Sequence, residues 1–526
     1  MRKSLEESGK STSRRVPMPA PTGGWNARDP FTSMKKTEAI YLDNFFPRRT
    51  DVMLRKGWEA FASIPEDLIA TPHNVQSLLS YSSPTGAKKL FACDASGIYN
   101  VTAGGAIASP ALALTSGQVE SVNMTTSGGS FLWCCNGTDS VSLYDGTTWT
   151  AITAISTPAI TGLATTLMTN CSIFKNRIII TKKDSLSFWY LPLNAIAGAA
   201  TEFPLGSLFN LGGYLVATTS WSLDAGEGMD DYFVAITSEG EVAVYKGIDP
   251  SSASTFALVG IYKLGKPLGK RCFHKIGGDV LVLTEGGLFP LSKALISANI
   301  NSASAVSDKI SDAWTSFTSS FSGLFGWQAV TLPSANMLLI NVPIVQDAAL
   351  NISYSYQFVM NTQTGAWARF FNQHSQVWCV HDGELYFANH NFIRKAWTGQ
   401  TDNNGPIEAK VKSAFSNLGY AGNKHIPLVR PIMTSTADVT LQLGIDSDYA
   451  DELTSSSFVT SNTTVALWDQ AKWDQAKWTA NLTISKWRTV FHRPGNALSL
   501  RLRLSAKNVS LTWNATDYLV EDAGLL

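Results

Sequence analysis

Three histidines, two acidic clusters and one aspartate turn have the residue types for chemistry. His374, His381 and His390 lie close together in sequence, and imidazole is a common metal ligand. They fall at different points of strands and turns, without the Cys/His spacing of a zinc site, which reads as surface or turn histidines. Residues 224–231, D-A-G-E-G-M-D-D, gather Asp224, Glu227, Asp230 and Asp231 around two glycines. Calcium takes such oxygen ligands, but the EF-hand spacing is missing, so the segment reads as a solvated inter-strand loop whose metal binding the sequence leaves open. The same holds for Asp446, Asp448, Asp451 and Glu452. A glycosidase needs two carboxylates at a set separation, which a sequence does not show. Residues 142–149, S-L-Y-D-G-T-T-W, approach the Asp-box turn of sialidase-like propellers with Asp145 one place late; such a box is a structural turn. No P-loop, G-x-G-x-x-G after a strand, H-E-x-x-H or G-x-S-x-G is present, which counts against enzymes built on those motifs.

The elements that must position these residues are strands. Helix signals are scarce, and short runs of Val, Ile, Phe, Tyr and Thr bounded by Gly, Asn and Asp recur from about residue 75 to 397. One hairpin theme repeats: an apolar strand, a tight polar turn, then a strand carrying an aromatic. With Tyr99, Tyr144, Tyr190, Tyr245 and Phe289 as markers, the steps are 45, 46, 55 and 44 residues by subtraction. That pitch matches the ~40–50 residues of a four-stranded propeller blade. A further hairpin set fills the interval to Phe392, giving six or seven blades. Paired β-sandwiches are the alternative, but a steady long period favours the propeller. Radial repetition also lets 526 residues fold without the thick single core that stops growing near ~250–300 residues.

The fold class expected is therefore all-β: an extended basic N-terminal arm and platform segment over 1–58, a six- or seven-bladed propeller over 59–405, and a β-sandwich-like platform over 406–526, with residues 14–58 and 407–526 building the platform together. Leu498 to Leu504, L-S-L-R-L-R-L, alternates apolar residues with Arg501 and Arg503, as a sheet with one polar face requires. Forty-one basic and 41 acidic residues cancel, which argues against a basic nucleic-acid reader. Split after Lys56, the balance is 12 basic and 6 acidic residues through Lys56, +6, and −6 beyond it. The arm reads as a basic docking element. The tandem W-D-Q-A-K repeat places Trp468, Trp473 and Trp478 five residues apart, which suits neither one helix face nor one strand face. These indoles suit a loop or ribbon packing on different neighbours or another subunit, with sugar or base stacking as the functional alternative. The six cysteines, Cys93, Cys134, Cys135, Cys171, Cys272 and Cys379, sit in apolar runs without C-x-x-C spacing and read as buried reduced thiols. N-x-S/T sequons such as Asn100, Asn351 and Asn508 read as chance matches. No signal-like or ~20-residue apolar segment is seen, so a soluble protein made in the cytosol is expected.

Residues 21–58 carry an ordered run: Gly23-Gly24-Trp25-Asn26-Ala27-Arg28-Asp29, then Ala39 with Leu42-Asp43-Asn44-Phe45-Phe46-Pro47, then Leu54-Arg55-Lys56-Gly57-Trp58. This run resembles the opening of the nozzle or hub proteins of short-tailed bacteriophages, also called tail tubular or packaged-DNA stabilisation proteins. The tandem Trp-Asp segment, Trp487-Arg488 and the strand from Leu498 look similar to that family too. The resemblance implies a structural virion protein and not an enzyme: a homo-hexameric ring in the tail, assembled in the bacterial host cytoplasm. Such a ring sits below an adaptor ring, supports tail fibres or spikes, and retains packaged double-stranded DNA before conducting it without sequence specificity during ejection. No catalytic residue, cofactor or metal is implied. A charge-balanced, hydroxyl-rich wall fits a conduit, because many phosphate contacts would hold DNA tightly. The competing expectation is a propeller that binds or hydrolyses host polysaccharide.

Overall fold

The computed structural model describes residues 13–65, 74–224, 229–252, 254–296, 304–347, 352–420, 422–451, 455–459 and 482–523. The chain forms two compact units. A terminal unit comprises Met1–Glu59, Val359–Phe371 and Trp397–Leu526, and a propeller unit comprises Ala60–Phe358 and Asn372–Ala396.

Among the described residues the propeller unit has seven blades. Their innermost strands are Ser77–Ser82, Glu120–Thr126, Met168–Phe174, Leu215–Asp224, Phe273–Ile276, Gln328–Leu332 and Val377–His381. Each packs beside the next, and the seventh packs beside the first, so the ring closes. Blades one to four are four-stranded antiparallel sheets in chain order. The fifth has three strands, beside which helix Ser311–Phe321 is held by the Trp314 indole N–H donating to the Thr284 carbonyl at 3.0 Å. The last blade is completed by strand Gly57–Ser63, from before the first blade. This fastens the two ends of the ring.

Strand alternation explains the cores. Successive side chains point to opposite faces of a strand, so each middle strand feeds two inter-blade cores. Ile178 and Ile180 pack towards blade two with Trp133, Leu143 and Trp189, while Ile179 packs towards blade four with Phe174, Phe188 and Phe233. The marker aromatics Tyr99, Tyr144, Tyr190, Tyr245 and Phe289 all lie on third strands. The 44–55-residue period is thus the repeat of whole blades.

The terminal unit contains two sheets. One runs Trp367–Phe370, Glu38–Asp43, Ile407–Ser413, Leu498–Ala506, Thr440–Ser447, Ser456–Val459, with Gly24–Trp25 pairing Glu38–Asp43. The other runs Phe45–Pro47, Val52–Leu54, Leu511–Asp522, Lys424–Ser435, Leu482–Ile484. In the first, Leu500, Leu502 and Leu504 lie opposite Ile445, Leu443 and Leu441, and Leu502 and Leu504 also lie opposite Val411 and Ala409. All are buried, and the alternation puts Arg501 and Arg503 on the other face.

Residues 14–59 lie as strands within the terminal unit, together with the C-terminal sheets, and do not extend as an arm. Arg14–Pro19 pairs along Leu511–Asp522, and Glu38–Asp43 is an interior strand between Trp367–Phe370 and Ile407–Ser413. Part of the basic surplus meets acids from elsewhere in the unit, Arg15 with Asp517 and Arg55 with Asp402, while Arg28–Asp29 and Arg48–Asp51 pair within the segment. An interior strand gives hydrogen bonds to both neighbours, so it cannot also be a free docking element. Residues 359–371 and 397–405, expected in the propeller, belong to this unit.

Candidate functional site

The motif residues converge on a buried polar network in the terminal unit. Asn44 takes a left-handed conformation, φ 58°, which asparagine tolerates better than most residues. Its side-chain oxygen accepts from Arg55 Nε and Phe371 N–H, both at 2.8 Å, and its amide donates to the Glu408 carbonyl at 2.7 Å. Arg55 uses all five donors. Nε serves Asn44; the terminal nitrogens serve Asp402 Oδ1 and Oδ2 at 2.8 and 2.6 Å and the carbonyls of Lys56 and Phe371. Its side chain is 0% exposed and that of Asp402 7%. Such an ion pair survives burial only with this degree of hydrogen bonding.

Around it, Asp43 accepts a forked pair from Arg369 at 2.9 and 3.2 Å, with Lys410 3.6 Å away. Burial pushes the Asp43 carboxyl above its ordinary range, against the pull of those two cations. The Arg369 guanidinium also lies over the Trp25 ring at 5.3 Å. Asn26 organises a turn: its oxygen accepts the N–H groups of Arg28 and Asp29, and its amide donates to Asp29 and Glu38, both at 2.8 Å. Phe46 meets Trp397 edge-on at 5.6 Å, and the Pro47 carbonyl accepts from Asn361. The glycines have steric reasons. A Cβ on Gly57 would sit 1.8 Å from the Thr401 carbonyl oxygen, and one on Gly24 2.5 Å from that of Trp367. Trp58 pairs through its main chain with Thr401 and Asn403. Trp487 is half-buried beneath Arg430, which with Arg15 engages Asp517. The structure therefore brings Asn44, Arg55, Asp43 and their partners together as a staple between chain segments far apart in sequence. Trp468, Trp473 and Trp478 lie outside the described residues.

In the propeller unit, residues from all seven innermost strands line an axial cavity of about 610 Å³. Its wall is rich in hydroxyls and amides: Ser121, Asn123, Asn170, Ser172, Thr218, Ser220 and Gln328. Arg271, at the entry to blade five, reaches across to blades one and two. Nε donates to Glu120 at 3.0 Å, and the terminal nitrogens donate to Ser77 Oγ at 2.7 Å and to the carbonyls of Gln76 and Val119. Blade five faces blades one and two across a seven-bladed ring, so this side chain is a strut through the axis. Lys275 donates to Ser220 Oγ, and desolvation lowers its pKa. A second cavity of about 540 Å³ is lined by Gln118, Thr169 and Tyr214 with Lys183, Asp184, Lys266 and Glu285, and Lys270 borders both cavities. No sequence signal marks Arg271 or Glu120, because their partner blades are 150 residues apart.

The other candidates are dispersed. His381 contacts Ser80, His390 contacts Asn391 and His374 contacts Ser355. Among the described residues no three His, Cys, Asp or Glu side chains are grouped to hold a metal ion. Residues 225–228 of the acidic loop lie outside the described residues; Asp231 pairs with Lys175 and Ser222. Asp446 and Asp451 pair with Lys412, Asp448 accepts the N–H groups of Asn496 and Ala497, and Glu452 lies outside the described residues. Asp145 closes its turn: partial desolvation is outweighed by hydrogen bonds from Thr147 and Thr148, which hold its carboxyl down to about 2. All six cysteines are free, and burial pushes Cys272 and Cys379 up to about 12, so they stay thiols at neutral pH. No helix among the described residues is long and apolar enough to cross a membrane.

No family model and no curated protein matches the chain. Among solved structures, it is similar to BBS1N in complex with ARL6DN (10% identity, 66% of this chain and 99% of that one, TM-score 0.38). It is also similar to a Trypanosoma rangeli sialidase (9%, 76% and 91%, TM-score 0.29) and to a Bacillus subtilis glycoside hydrolase family 43 arabinoxylan arabinofuranohydrolase (8%, 88% and 96%, TM-score 0.24).

Proposed function

We propose that this chain is a non-enzymatic structural protein that builds a ring in the tail of a short-tailed bacteriophage, retaining packaged DNA and conducting it during ejection. The observation that carries the reading is the fate of the nozzle-like run: Asn44 and Arg55 are spent in a buried staple with Asp402, in which all five Arg55 donors are used. A motif of that kind serves architecture. The axial cavity supports the same reading, since its one carboxylate, Glu120, is engaged by Arg271, whereas glycoside hydrolysis needs a pair with separate roles. The Arg271 strut crosses the propeller axis, and in this reading the DNA conduit runs instead through the lumen of the ring, bounded by protomers. In this reading the protein forms a homo-hexamer that meets an adaptor ring and fibres or spikes.

A second reading, a propeller that binds or cleaves host polysaccharide, is favoured by the second cavity, which has Asp184, Glu285 and Tyr214 in its wall. The test is negative-stain microscopy of the purified protein, with and without the neighbouring tail ring, beside a polysaccharide-hydrolysis assay. Sixfold rings without hydrolysis support the first reading. Monomers even beside the partner, with sugar-dependent tryptophan quenching or cleavage lost in Asp184→Asn and Glu285→Gln, would replace it by the second.

A further inference from the structure

The polar face of the first sheet in the terminal unit holds a site that neither reading uses. Arg501 and Arg503 are two residues apart on strand Leu498–Ala506, so both project from one face. The register sets Arg501 opposite Lys412 on one side and Gly444 on the other, and Arg503 opposite Lys410 and Gln442. At Gly444 the facing strand has no side chain, and a notch of about 130 Å³ opens there, lined by Gln442, Gly444, Ser455, Arg501 and Arg503. Every side chain in that wall can donate hydrogen bonds, and no carboxylate is among them. That volume exceeds the ~10–15 Å³ one water needs by several-fold, which leaves room for one tetrahedral oxyanion.

The charges nearby are unevenly matched. Arg501 reaches Asp446 at 3.3 Å, Lys412 is held by Asp446 and Asp451, and Lys410 lies 3.6 Å from Asp43. Arg503 is exposed and has no ion-pair partner among the described residues. Its charge, like those of Arg501 and Lys412, acts on the half-buried Tyr41. Two guanidinium forks, one of them uncompensated, with an amide and a hydroxyl across a side-chain gap, match the bidentate geometry of phosphate better than lysines would.

We propose that this notch binds a phosphate oxyanion, with Arg503 and Arg501 as the forks and Gln442 and Ser455 as supporting donors. The ligand is free phosphate or the phosphodiester of a nucleic-acid backbone, and the site does not depend on the ring reading. Calorimetric titration of the full-length protein with inorganic phosphate, and separately with a short random-sequence DNA duplex at low salt, tests it on wild type, Arg503→Gln and Gly444→Val. Arg503 is exposed, so its variant should fold unchanged by circular dichroism. Saturable phosphate binding that falls about tenfold in Arg503→Gln and is lost in Gly444→Val supports the proposal with free phosphate as ligand. Duplex binding alone, weakened in Arg503→Gln, supports it with the phosphodiester as ligand. Absence of binding by both ligands, or binding that Arg503→Gln leaves unchanged, overturns it.

Discussion

The two units bury polar groups by different means. In the propeller unit the fully buried network is neutral: Asn341 and Gln357, both 0% exposed, join the Trp378 indole N–H, Ser355, Ser375 and the Gln373 and Gly326 carbonyls, while the Arg271–Glu120 pair on the axis stays 14% and 16% exposed. In the terminal unit the corresponding role falls to ions, Arg55 with Asp402, Arg369 with Asp43 and Arg430 with Asp517. A buried ion tolerates no missing partner, so its network demands particular residues at particular places. Apolar blades demand only size and alternation. That difference explains why a specific run of residues stands out in 21–58 while the blades are visible only as a rhythm.

The comparison breaks most sharply at Arg55. Replacing it by Met leaves Asp402 buried without a cation, a loss of about 3–5 kcal/mol in chemical denaturation; adding Asp402→Leu should recover much of it. If Arg55→Met costs under about 1 kcal/mol, the staple is not what holds this unit. The neutral network should be less costly to break. Asn341→Ala removes the acceptor of the Trp378 indole N–H and of the Ser375 hydroxyl, for about 2–4 kcal/mol in the same measurement at roughly 1–3 per orphaned group. Both domains' transitions need separate probes, and near-ultraviolet circular dichroism serves for the tryptophan-rich propeller core.

Acid sharpens the contrast from the propeller side. His274 donates to or accepts from Thr331 Oγ1 at 2.6 Å, and desolvation lowers its pKa to about 4, against ~6.5 for an unfolded chain. The unfolded state therefore takes up a proton that the folded state refuses, and stability falls as pH drops from about 6.5 to about 4, by roughly 2–3 kcal/mol. His274→Gln should flatten that slope in pH-dependent thermal melts; an unchanged slope assigns it to other groups. The smallest effect is expected at the surface of the same motif. Arg28→Ala removes a half-exposed pair with Asp29 and should change stability by about 0.2–1 kcal/mol; a larger loss would mean that the motif's outer residues also belong to the staple.

Much of the propeller was legible because its physics is local: strand alternation, tight turns and the aromatic at each third strand all repeat within one blade. Ring closure by Gly57–Ser63 was not, since it joins segments more than 300 residues apart. That the N-terminal segment, expected as a basic arm and platform segment, does not extend as an arm was not legible for a similar reason. Its basic residues find Asp402 and Asp517 only in the folded chain, and a linear charge count cannot see those partners. Of the motif, the residues were visible and their roles were not: Asn44 and Arg55 acquire meaning from Phe371, Asp402 and Glu408. The Arg271 strut had no signal at all, and the Arg501 and Arg503 alternation was visible without Gly444, whose place opposite them depends on strand register.

Hydrogen–deuterium exchange on Arg55→Met beside wild type tests the central claim most directly, that the nozzle-like run is a structural staple of the terminal unit. The account predicts faster exchange in residues 14–59, 359–371 and 397–523, with the innermost strands of the propeller still protected. Exchange unchanged in those segments, or raised first in the propeller strands, would contradict it.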